Sequence, residues 1–292
     1  MVPSFLVTDV RHFGVSYQIN PWMRPDAWQA DPMALKKAAT KGAAQLRAAL
    51  EKMGAQVETV PAIAELPDLV FPANAAIVLN GKVLVARFRH PERQGEEEVF
   101  RQIFLNLKAR SLVSDVIDLP NGVLQEGAGD CIWDETRGFF WGGYGQRSTA
   151  NSLAVIEKTF ARPVVGLELA TDRYYHLDTC FCPLQGGRLF YYPPAFTREA
   201  LAAIHFHVRP EQRIVASDSE AAAFCVNAVN LGKEIVMANP PESLREKLQD
   251  YGFHVTGIDL APFILSGGGA YCMTLRLDRT SFATRTELRA AE

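Results

Sequence analysis

The chain has 292 residues, of which 48% are hydrophobic, 22% charged and 10% aromatic. These proportions are typical of a globular protein, so they exclude a disordered, collagenous or fibrous chain. The 30 basic residues nearly balance the 33 acidic residues, which leaves a net charge of −3 and no basic footprint for nucleic acid.

A unit of two strands and a helix recurs along the chain. Its first copy is a hairpin of residues 75–79 and 83–86 around the turn Asn80-Gly81, and a helix follows from about 95 to 108. This helix begins with acidic residues at 96–98, which suit the positive end of the helix dipole.

Three further copies follow the first. Their hairpins and helices are predicted at 130–133, 139–142 and 150–159; at 179–184, 188–192 and 198–204; and at 226–230, 234–237 and 242–251. The four turns lie near residues 81, 138, 187 and 232, which is a period of 45 to 57 residues. Such a period indicates a propeller-like or circular array, and because each copy holds strands and a helix, the predicted class is α/β.

The two ends of the chain are expected to complete the array. The remaining strands are predicted in the N-terminal segment and at residues 270–277, with the last strand beside the first. We therefore expect residues 1–292 to form one domain. Its chemistry should lie at the centre, where the ends of equivalent strands converge.

The cysteines and the N-terminal segment bear on the cellular compartment. Five widely spread cysteines, an odd number, do not suggest a disulfide framework. Residues 1–9 have no basic region and no long apolar core, so we expect no signal peptide. No apolar run approaches the roughly 18 residues of a membrane span. We therefore expect a cytoplasmic protein with no membrane partner.

Cys272 follows a run of three glycines, Gly267 to Gly269. A lone cysteine is most often a small buried hydrophobic residue. Glycines, however, let a ligand or another backbone come close. The thiol of Cys272 is therefore a candidate nucleophile.

His176 and Asp178 lie in a segment, 174–179, that is predicted to be a strand. Residues two apart in a strand point to the same face, so the two side chains would lie together. A histidine oriented by an acid is typical of general acid/base catalysis. The alternative is an ion pair at the end of a strand.

Several acids lie among glycines or apolar residues. Glu126 and Asp130 flank a glycine-rich tripeptide, and Asp68 and Asn74 belong to the otherwise apolar stretch 66–74. The acids at 126 and 130 form either a charged turn or a buried site reached through the glycines. Because buried polar groups need partners, the acids and the amide indicate a polar ligand.

Two patterns are weighed against other kinds of site. The pairs Cys180/Cys182 and His205/His207 lack the paired spacing of a structural zinc site, so we expect no metal. The glycine-rich run 142–145 lacks the strand–GxGxxG–helix context of a dinucleotide site. It is predicted to be a turn at the end of a strand, followed by Arg147.

Five segments together resemble the guanidino-group modifying superfamily, which comprises arginine deiminases, dimethylargininases, arginine dihydrolases and amidinotransferases. They occur in the family's order between about residue 10 and residue 280: 13–23, 67–74, 126–130, 176–179 and the glycine-rich segment at Cys272. The resemblance implies the pentein fold, a five-fold pseudo-symmetric α/β propeller. That fold agrees with the repeat.

The resemblance also implies a role for each matching residue. The catalytic residues would be the nucleophile Cys272, the general acid/base His176, Glu126, which contacts histidine and guanidinium, and Asp178 of the His-x-Asp motif. The substrate-binding residues would be Asp68, Phe71, Asn74, Arg93 and Arg147. In this family, matching arginines hold the substrate carboxylate.

One departure from the family pattern concerns the branch. Many deiminases and dimethylargininases have a Glu-Asp pair where this chain has Ala73-Asn74, and the asparagine resembles the arginine dihydrolase branch. The resemblance thus implies a hydrolase of free L-arginine that works through a covalent thiouronium on cysteine, with no metal or organic cofactor. A dimethylargininase, an amidinotransferase and a non-catalytic guanidino-binding module remain as alternatives. The sequence leaves open whether the chain forms a homo-oligomer.

Overall fold

The computed structural model describes residues 2–281. Within this range the strands are β1 (Ser4–Thr8), β2 (Gln56–Val60), β3 (Ala76–Leu79), β4 (Lys82–Val85), β5 (Asp115–Ile117), β6 (Cys131–Asp134), β7 (Phe139–Tyr144), β8 (Val164–Glu168), β9 (Phe181–Leu184), β10 (Arg188–Tyr191), β11 (Arg213–Val215), β12 (Val229–Leu231), β13 (Glu234–Ala238), β14 (His254–Ile258) and β15 (Leu275–Arg276). In the same range the helices are α1 (Pro25–Ala30), α2 (Pro32–Lys52), α3 (Pro91–Ala109), α4 (Gly127–Asp130), α5 (Ser152–Phe160), α6 (Arg198–His207), α7 (Asp218–Ala222), α8 (Glu242–Asp250) and α9 (Ala261–Ile264).

The described strands form five three-stranded sheets that share the same arrangement of strands. In each sheet the central strand pairs antiparallel with one neighbour and parallel with the other. The strand orders are β15-β1-β2, β3-β4-β5, β6-β7-β8, β9-β10-β11 and β12-β13-β14. The first of these sheets joins the two ends of the chain, because β15 lies beside β1 with Phe5 opposite Arg276. The predicted pairing of the last strand with the first is therefore confirmed.

The predicted hairpins are confirmed, and their turns explain why. Asn80 and Gly81 have φ values of 54° and 74°, which a β-branched residue would rarely adopt. Strands that are buried on both faces are typically apolar runs. Strands β3 and β6 are buried along their whole length. Phe140 and Trp141 of β7 are both 0% exposed and belong to the surrounding core.

Some predicted boundaries are wrong. Helix α3 begins at Pro91 rather than near 95, so Glu92 lies in its first turn and Glu96 is buried one turn later. Proline is favoured at the first position of a helix because its missing N–H would have no partner there. The strand predicted at 270–277 is reduced to β15, since Met273 and Thr274 donate backbone hydrogen bonds to Gly269 and Tyr271 in tight turns.

None of the helices described between residues 2 and 281 is long and apolar enough to cross a membrane.

One strand of each sheet begins close after a polar or nucleophilic residue. These strands are the antiparallel partners β3, β6, β9, β12 and β15, and the residues just before them are Asn74, Asp130, Asp178, Asn227 and Cys272. The repeat thereby places chemically useful side chains at the same end of equivalent strands. This arrangement positions the candidate site.

Candidate active site

The nine side chains that the sequence singled out are all buried. Their exposed fractions range from 0% for His176 and Glu126 to 4% for Phe71. Buried ionisable groups need partners, so their contacts define what the site can bind.

Cys272 lies at the centre of a small polar cluster. Its Sγ is 3.1 Å from Oδ2 of Asp178, to which the thiol donates, and 3.1 Å from Nδ2 of Asn227. Burial raises the pKa of the Cys272 thiol well above its ordinary value, and the neighbouring Asp178 raises it further. The free thiol is therefore held in its neutral form until a positive charge arrives.

His176 does not lie in a strand, so that prediction is wrong. It immediately precedes a single turn of 3-10 helix, Leu177–Thr179, in which the Thr179 hydroxyl donates to the His176 carbonyl at 2.6 Å. The partner of the imidazole is also different: Nε2 lies 2.7 Å from Oε2 of Glu126, whereas Asp178 bonds to Cys272. The acid that orients the histidine is therefore Glu126.

Glu126 is an anion held by three donors. Oε1 accepts from the backbone N–H of Arg89 at 3.0 Å, and Oε2 accepts from His176 and from Nη1 of Arg147 at 3.2 Å. Burial opposes ionisation, but Arg147 and the His176 hydrogen bond outweigh it and hold the pKa of Glu126 well below its usual range. Of the two alternatives that the sequence left open for Glu126, a charged turn or a buried carboxylate, the structure shows the buried carboxylate.

Asp178 has an unusual unpaired atom. Its Oδ1 is buried and has no hydrogen-bond partner among residues 2–281, while Oδ2 accepts from Cys272. Burial raises the pKa of Asp178 to about 7. An unpartnered buried carboxylate oxygen is costly. Next to the thiol, it marks the place where a donor-rich ligand would bind.

Asp68 and Phe71 form one wall of the cluster. Asp68 accepts from the Tyr17 hydroxyl at 2.9 Å and from the Ser266 hydroxyl at 3.0 Å. A Cβ atom at Gly268 would lie 2.1 Å from the Phe71 ring, so this glycine is required for close packing. The glycine run before Cys272 thus lets the chain pass tightly over Phe71.

Arg93 is buried, and most of its hydrogen-bond donors are used within the protein. Its guanidinium forms a two-point ion pair with Glu96, at 2.8 Å for each contact. It also donates to Oδ1 of Asn74 at 2.9 Å and to the Asp68 carbonyl at 3.3 Å. Since arginine has five N–H donors, one Nη1 hydrogen has no partner within the described residues and is available to an anionic ligand.

The hydrogen bonds of Asn74 fix the tautomer of His176. Because arginine only donates, the Asn74 atom that faces Arg93 is its oxygen. The amide Nδ2 then lies 3.3 Å from Nδ1 of His176 and donates to it. The neutral imidazole therefore carries its proton on Nε2, which donates to Glu126, and keeps a lone pair on Nδ1 for proton transfer.

Three further buried residues of the cluster were not among the predicted site residues. Glu96 pairs with Arg93, Asn227 bonds to Cys272, and Asp130 accepts from the backbone N–H of Leu177 at 3.1 Å beside His176. For Asp130 the sequence left open a charged turn or a buried site, and the structure shows it buried. Asn227 lies two residues before β12, as Asn74 lies two residues before β3, so the repeat was a signal that could have identified it.

The patterns weighed as other sites have structural roles. Across the described part of the chain, no group of three or more His, Cys, Asp or Glu side chains could hold a metal ion. Cys180 and Cys182 are buried and lie against backbone carbonyls. Gly142 and Gly143 lie within β7 rather than in the predicted turn, and a Cβ at Gly142 would lie 2.4 Å from Leu153 of α5. The absence of a side chain at Gly142 lets α5 pack closely against β7.

Comparison with known proteins identifies the family. A family model described as N,N dimethylarginine dimethylhydrolase, eukaryotic, matches residues 12–279. The bifunctional arginine dihydrolase/ornithine cyclodeaminase ArgZ of Synechocystis is 40% identical over 91% of this chain, which spans only 36% of ArgZ. The N(G),N(G)-dimethylarginine dimethylaminohydrolase of Mycobacterium tuberculosis is 31% identical, with 94% of this chain and 85% of that protein covered.

A solved structure supports the same assignment. The N-terminal domain of ArgZ, described as an arginine dihydrolase from the ornithine-ammonia cycle in cyanobacteria and bound to substrate, superposes with a TM-score of 0.89 at 38% identity. The match covers 96% of this chain and all of that one. The chain therefore belongs to the N,N-dimethylarginine dimethylhydrolase family, within the superfamily whose motifs its sequence carries.

Proposed function

We propose that this chain is a cysteine-dependent hydrolase of the guanidino group of free L-arginine, that is, an arginine dihydrolase. The observation that carries the proposal is the unpartnered Oδ1 of Asp178 beside the Cys272 thiol. The likeness to ArgZ supports arginine as the substrate, and Asn74 supports the dihydrolase branch.

The chemistry of a guanidinium suits this cluster. It is a planar cation with N–H donors at every edge and no acceptor. Asp178 offers a free oxygen, and Asp68 and Glu126 are further buried carboxylates of the cluster. A cation beside Asp178 also favours loss of the thiol proton, because an opposite charge stabilises the thiolate.

The reaction then follows from the named atoms. The Cys272 thiol loses its proton, which passes to Nδ1 of His176, and the thiolate attacks the guanidinium carbon. An S–C bond forms, and the electron pair of a C–N double bond moves onto nitrogen. His176 protonates the departing nitrogen, the C–N bond breaks, and ammonia leaves a thiouronium on Cys272. Water loses a proton to His176 and adds to this carbon, and the S–C bond breaks to give citrulline. A second hydrolysis converts citrulline and water to ornithine, carbon dioxide and ammonia.

We also propose the architecture that supports this site. The five sheets of one plan and the pairing of β15 with β1 support a five-fold pseudo-symmetric α/β propeller, a pentein, formed by residues 1–292 as one catalytic domain. No metal or organic cofactor takes part in the steps above. The partner is a small guanidino compound, and five free cysteines fit a reducing, cytoplasmic setting.

Product analysis tests the proposed function. Incubation with arginine, methylated arginines and agmatine, followed by mass spectrometry, should show ammonia and ornithine formed from arginine. Release of methylamines from methylated arginines alone would favour a dimethylargininase, which the family model and the mycobacterial relative support. Absence of any turnover would leave a guanidino-binding module.

The two arginines are expected to recognise the substrate's α-carboxylate. Changing Arg93 to alanine should lower kcat/KM for arginine at least tenfold more than for agmatine, which lacks that carboxylate. Loss of a charge-assisted hydrogen bond costs on the order of 1.5–3 kcal/mol, and each 1.4 kcal/mol is about tenfold. Because Arg93 also bonds Asn74, both substrates should lose kcat, and the ratio isolates the carboxylate contact.

Two further variants complete this experiment. Arg147→Ala should change the ratio in the same direction. Arg101→Ala removes a partly exposed arginine of the same helix as Arg93, paired with Asp118, and should leave kcat/KM unchanged for both substrates. Equal losses for arginine and agmatine in the Arg93 and Arg147 variants would show that these arginines have another role.

Substrate binding is expected to weaken below pH 7. The raised pKa of Asp178, about 7, means that its carboxyl is ionised above this pH and neutral below it. If only the ionised form binds the guanidinium, the apparent Kd rises about tenfold per pH unit below the pKa. Calorimetry of arginine binding to Cys272→Ser between pH 5 and 9 measures this without turnover. Adding Asp178→Asn should flatten the profile, and a flat profile in Cys272→Ser itself would contradict the expectation.

A further inference from the structure

Asn227 is a buried amide whose hydrogen-bonding groups are all used. Its side chain is 0% exposed. The amide oxygen accepts from the backbone N–H of Tyr271 at 3.0 Å and of Cys272 at 3.2 Å. The amide nitrogen donates to the Asp178 carbonyl and to Sγ of Cys272, each at 3.1 Å.

These contacts leave one orientation for the amide. Two backbone N–H groups can only donate, so the atom that faces them is Oδ1. The atom that faces Sγ is therefore Nδ2, a donor. The packing also leaves little freedom, because a Cβ at Gly269 would lie 2.8 Å from the Asn227 oxygen. The N–H group is thus aimed at the sulfur by three other hydrogen bonds of the same amide.

A buried thiolate requires such a donor. Burial and Asp178 both raise the pKa of the Cys272 thiol, whereas the hydrogen bonds from Asn227 and from the Gly269 backbone lower it. A hydrogen bond to the charged form of a group favours that form. The hydrogen bond from Asn227 therefore stabilises Cys272 once the thiol has lost its proton.

We propose that Asn227 is a further catalytic residue, which stabilises the Cys272 thiolate by donating its side-chain N–H to Sγ. The inference rests on the proposed function in taking Cys272 as the nucleophile. A purely structural role would limit Asn227 to fixing the backbone of residues 271–272 through Oδ1. The two roles involve different atoms of one amide, so a substitution can separate them.

Asn227→Asp separates the two roles. The new carboxylate has nearly the same size and keeps an oxygen facing the two backbone N–H groups, but it replaces the donor with a second oxygen. The rate of Cys272 alkylation by iodoacetamide is measured by peptide mass mapping between pH 6 and 10. We expect the pH profile of this rate to shift to higher pH in the variant. We expect a roughly ten- to hundredfold lower rate at a given pH below the midpoint.

The matched control is Asn230→Asp. Asn230 lies in β12, three residues after Asn227, and donates to the carbonyls of Gly232 and Glu234, away from Cys272. Asp178, which bonds Sγ, and Tyr175, which interacts with it electrostatically, are unchanged in both variants. The control should leave the alkylation profile of Cys272 where it is in the parent.

A measurement on the parent protein keeps the inference testable if Asn227→Asp fails to fold. The side-chain amide nitrogen resonance of Asn227 should shift with pH at the midpoint of Cys272 alkylation, and this shift should vanish in Cys272→Ser. A folded Asn227→Asp with an unchanged alkylation profile, or an amide resonance that does not titrate, would overturn the inference. Neither readout needs turnover, so failure of the proposed function would appear separately in the product analysis.

Discussion

Replacing Cys272 with serine is expected to abolish turnover of arginine, with a loss of at least about 10³-fold in kcat. A serine hydroxyl ionises far less readily than a thiol, so the nucleophile is lost. The fold should persist, because oxygen is smaller than sulfur and can keep hydrogen bonds to Asp178 and Asn227. Ammonia release measures activity, and thermal unfolding measures the fold.

Cys225→Ser is the matched control for this variant. Cys225 is also buried, but its Sγ lies near the Ala223 carbonyl rather than in the cluster. The control should retain activity, and a quenched reaction of the parent should carry a covalent adduct on the peptide that holds Cys272. Activity of Cys272→Ser within tenfold of the parent would refute the mechanism.

Local chemistry made much of the fold predictable. The turn at Asn80-Gly81 needs positive φ at two positions, and glycine and asparagine supply this at low cost. The strand predicted at 270–277 is wrong over most of its length, and here too the cause is a turn of the backbone. Its composition is apolar, but the backbone turns at 269–274 to bring Cys272 to the site, and only two residues continue in β15.

The candidate site was predictable only in part, because its partnerships are long-range. His176 meets Glu126, 50 residues away, and Asn227 meets Cys272, 45 residues away. The local pattern paired His176 with its neighbour Asp178, whereas the family resemblance implied the contact with Glu126, and neither singled out Asn227. Glu96 was expected in the first turn of its helix because the start of α3 was misplaced by four residues.

Asn74 is expected to decide whether arginine is hydrolysed once or twice. The ureido group of citrulline is neutral and presents an oxygen that needs a donor. In the site, Asn74 turns its oxygen to Arg93 and its Nδ2 towards His176, where the reacting group would lie. The other N–H of this amide can hold the ureido oxygen of citrulline for a second attack by Cys272. An aspartate has only acceptors and cannot do so.

Asn74→Asp also changes the proton on His176. A carboxylate oxygen beside Nδ1 can accept but not donate, so Nδ1 would have to carry a proton. With Nε2 donating to Glu126, the ring would be held as an imidazolium between two carboxylates. Such a ring still protonates the first departing nitrogen and then takes a proton from water, so the first hydrolysis is retained. Because the variant lacks the donor for the ureido oxygen, it should consume arginine but stop at citrulline.

The ratio of ornithine to citrulline formed from arginine measures this change. The parent should give ornithine, and Asn74→Asp should give citrulline. Asn106→Asp, which makes the same substitution at an exposed residue of α3, should give ornithine like the parent. Supplying citrulline directly sharpens the test, because the parent should convert it to ornithine whereas Asn74→Asp should leave it unchanged.

The possible outcomes distinguish control of the product from general damage to the site. A variant that lost activity for both steps equally would indicate that Asn74 only supports the packing around His176. An unchanged product ratio would show that the Asn74 amide only makes hydrogen bonds within the protein and does not influence which product is formed. If the parent itself makes only citrulline, or acts only on methylated arginines, the dihydrolase assignment fails and a dimethylargininase takes its place. Ornithine from the parent and citrulline from Asn74→Asp together would require a donor at this position for the second hydrolysis, and among the described residues the Asn74 amide is the donor that faces Nδ1 of His176.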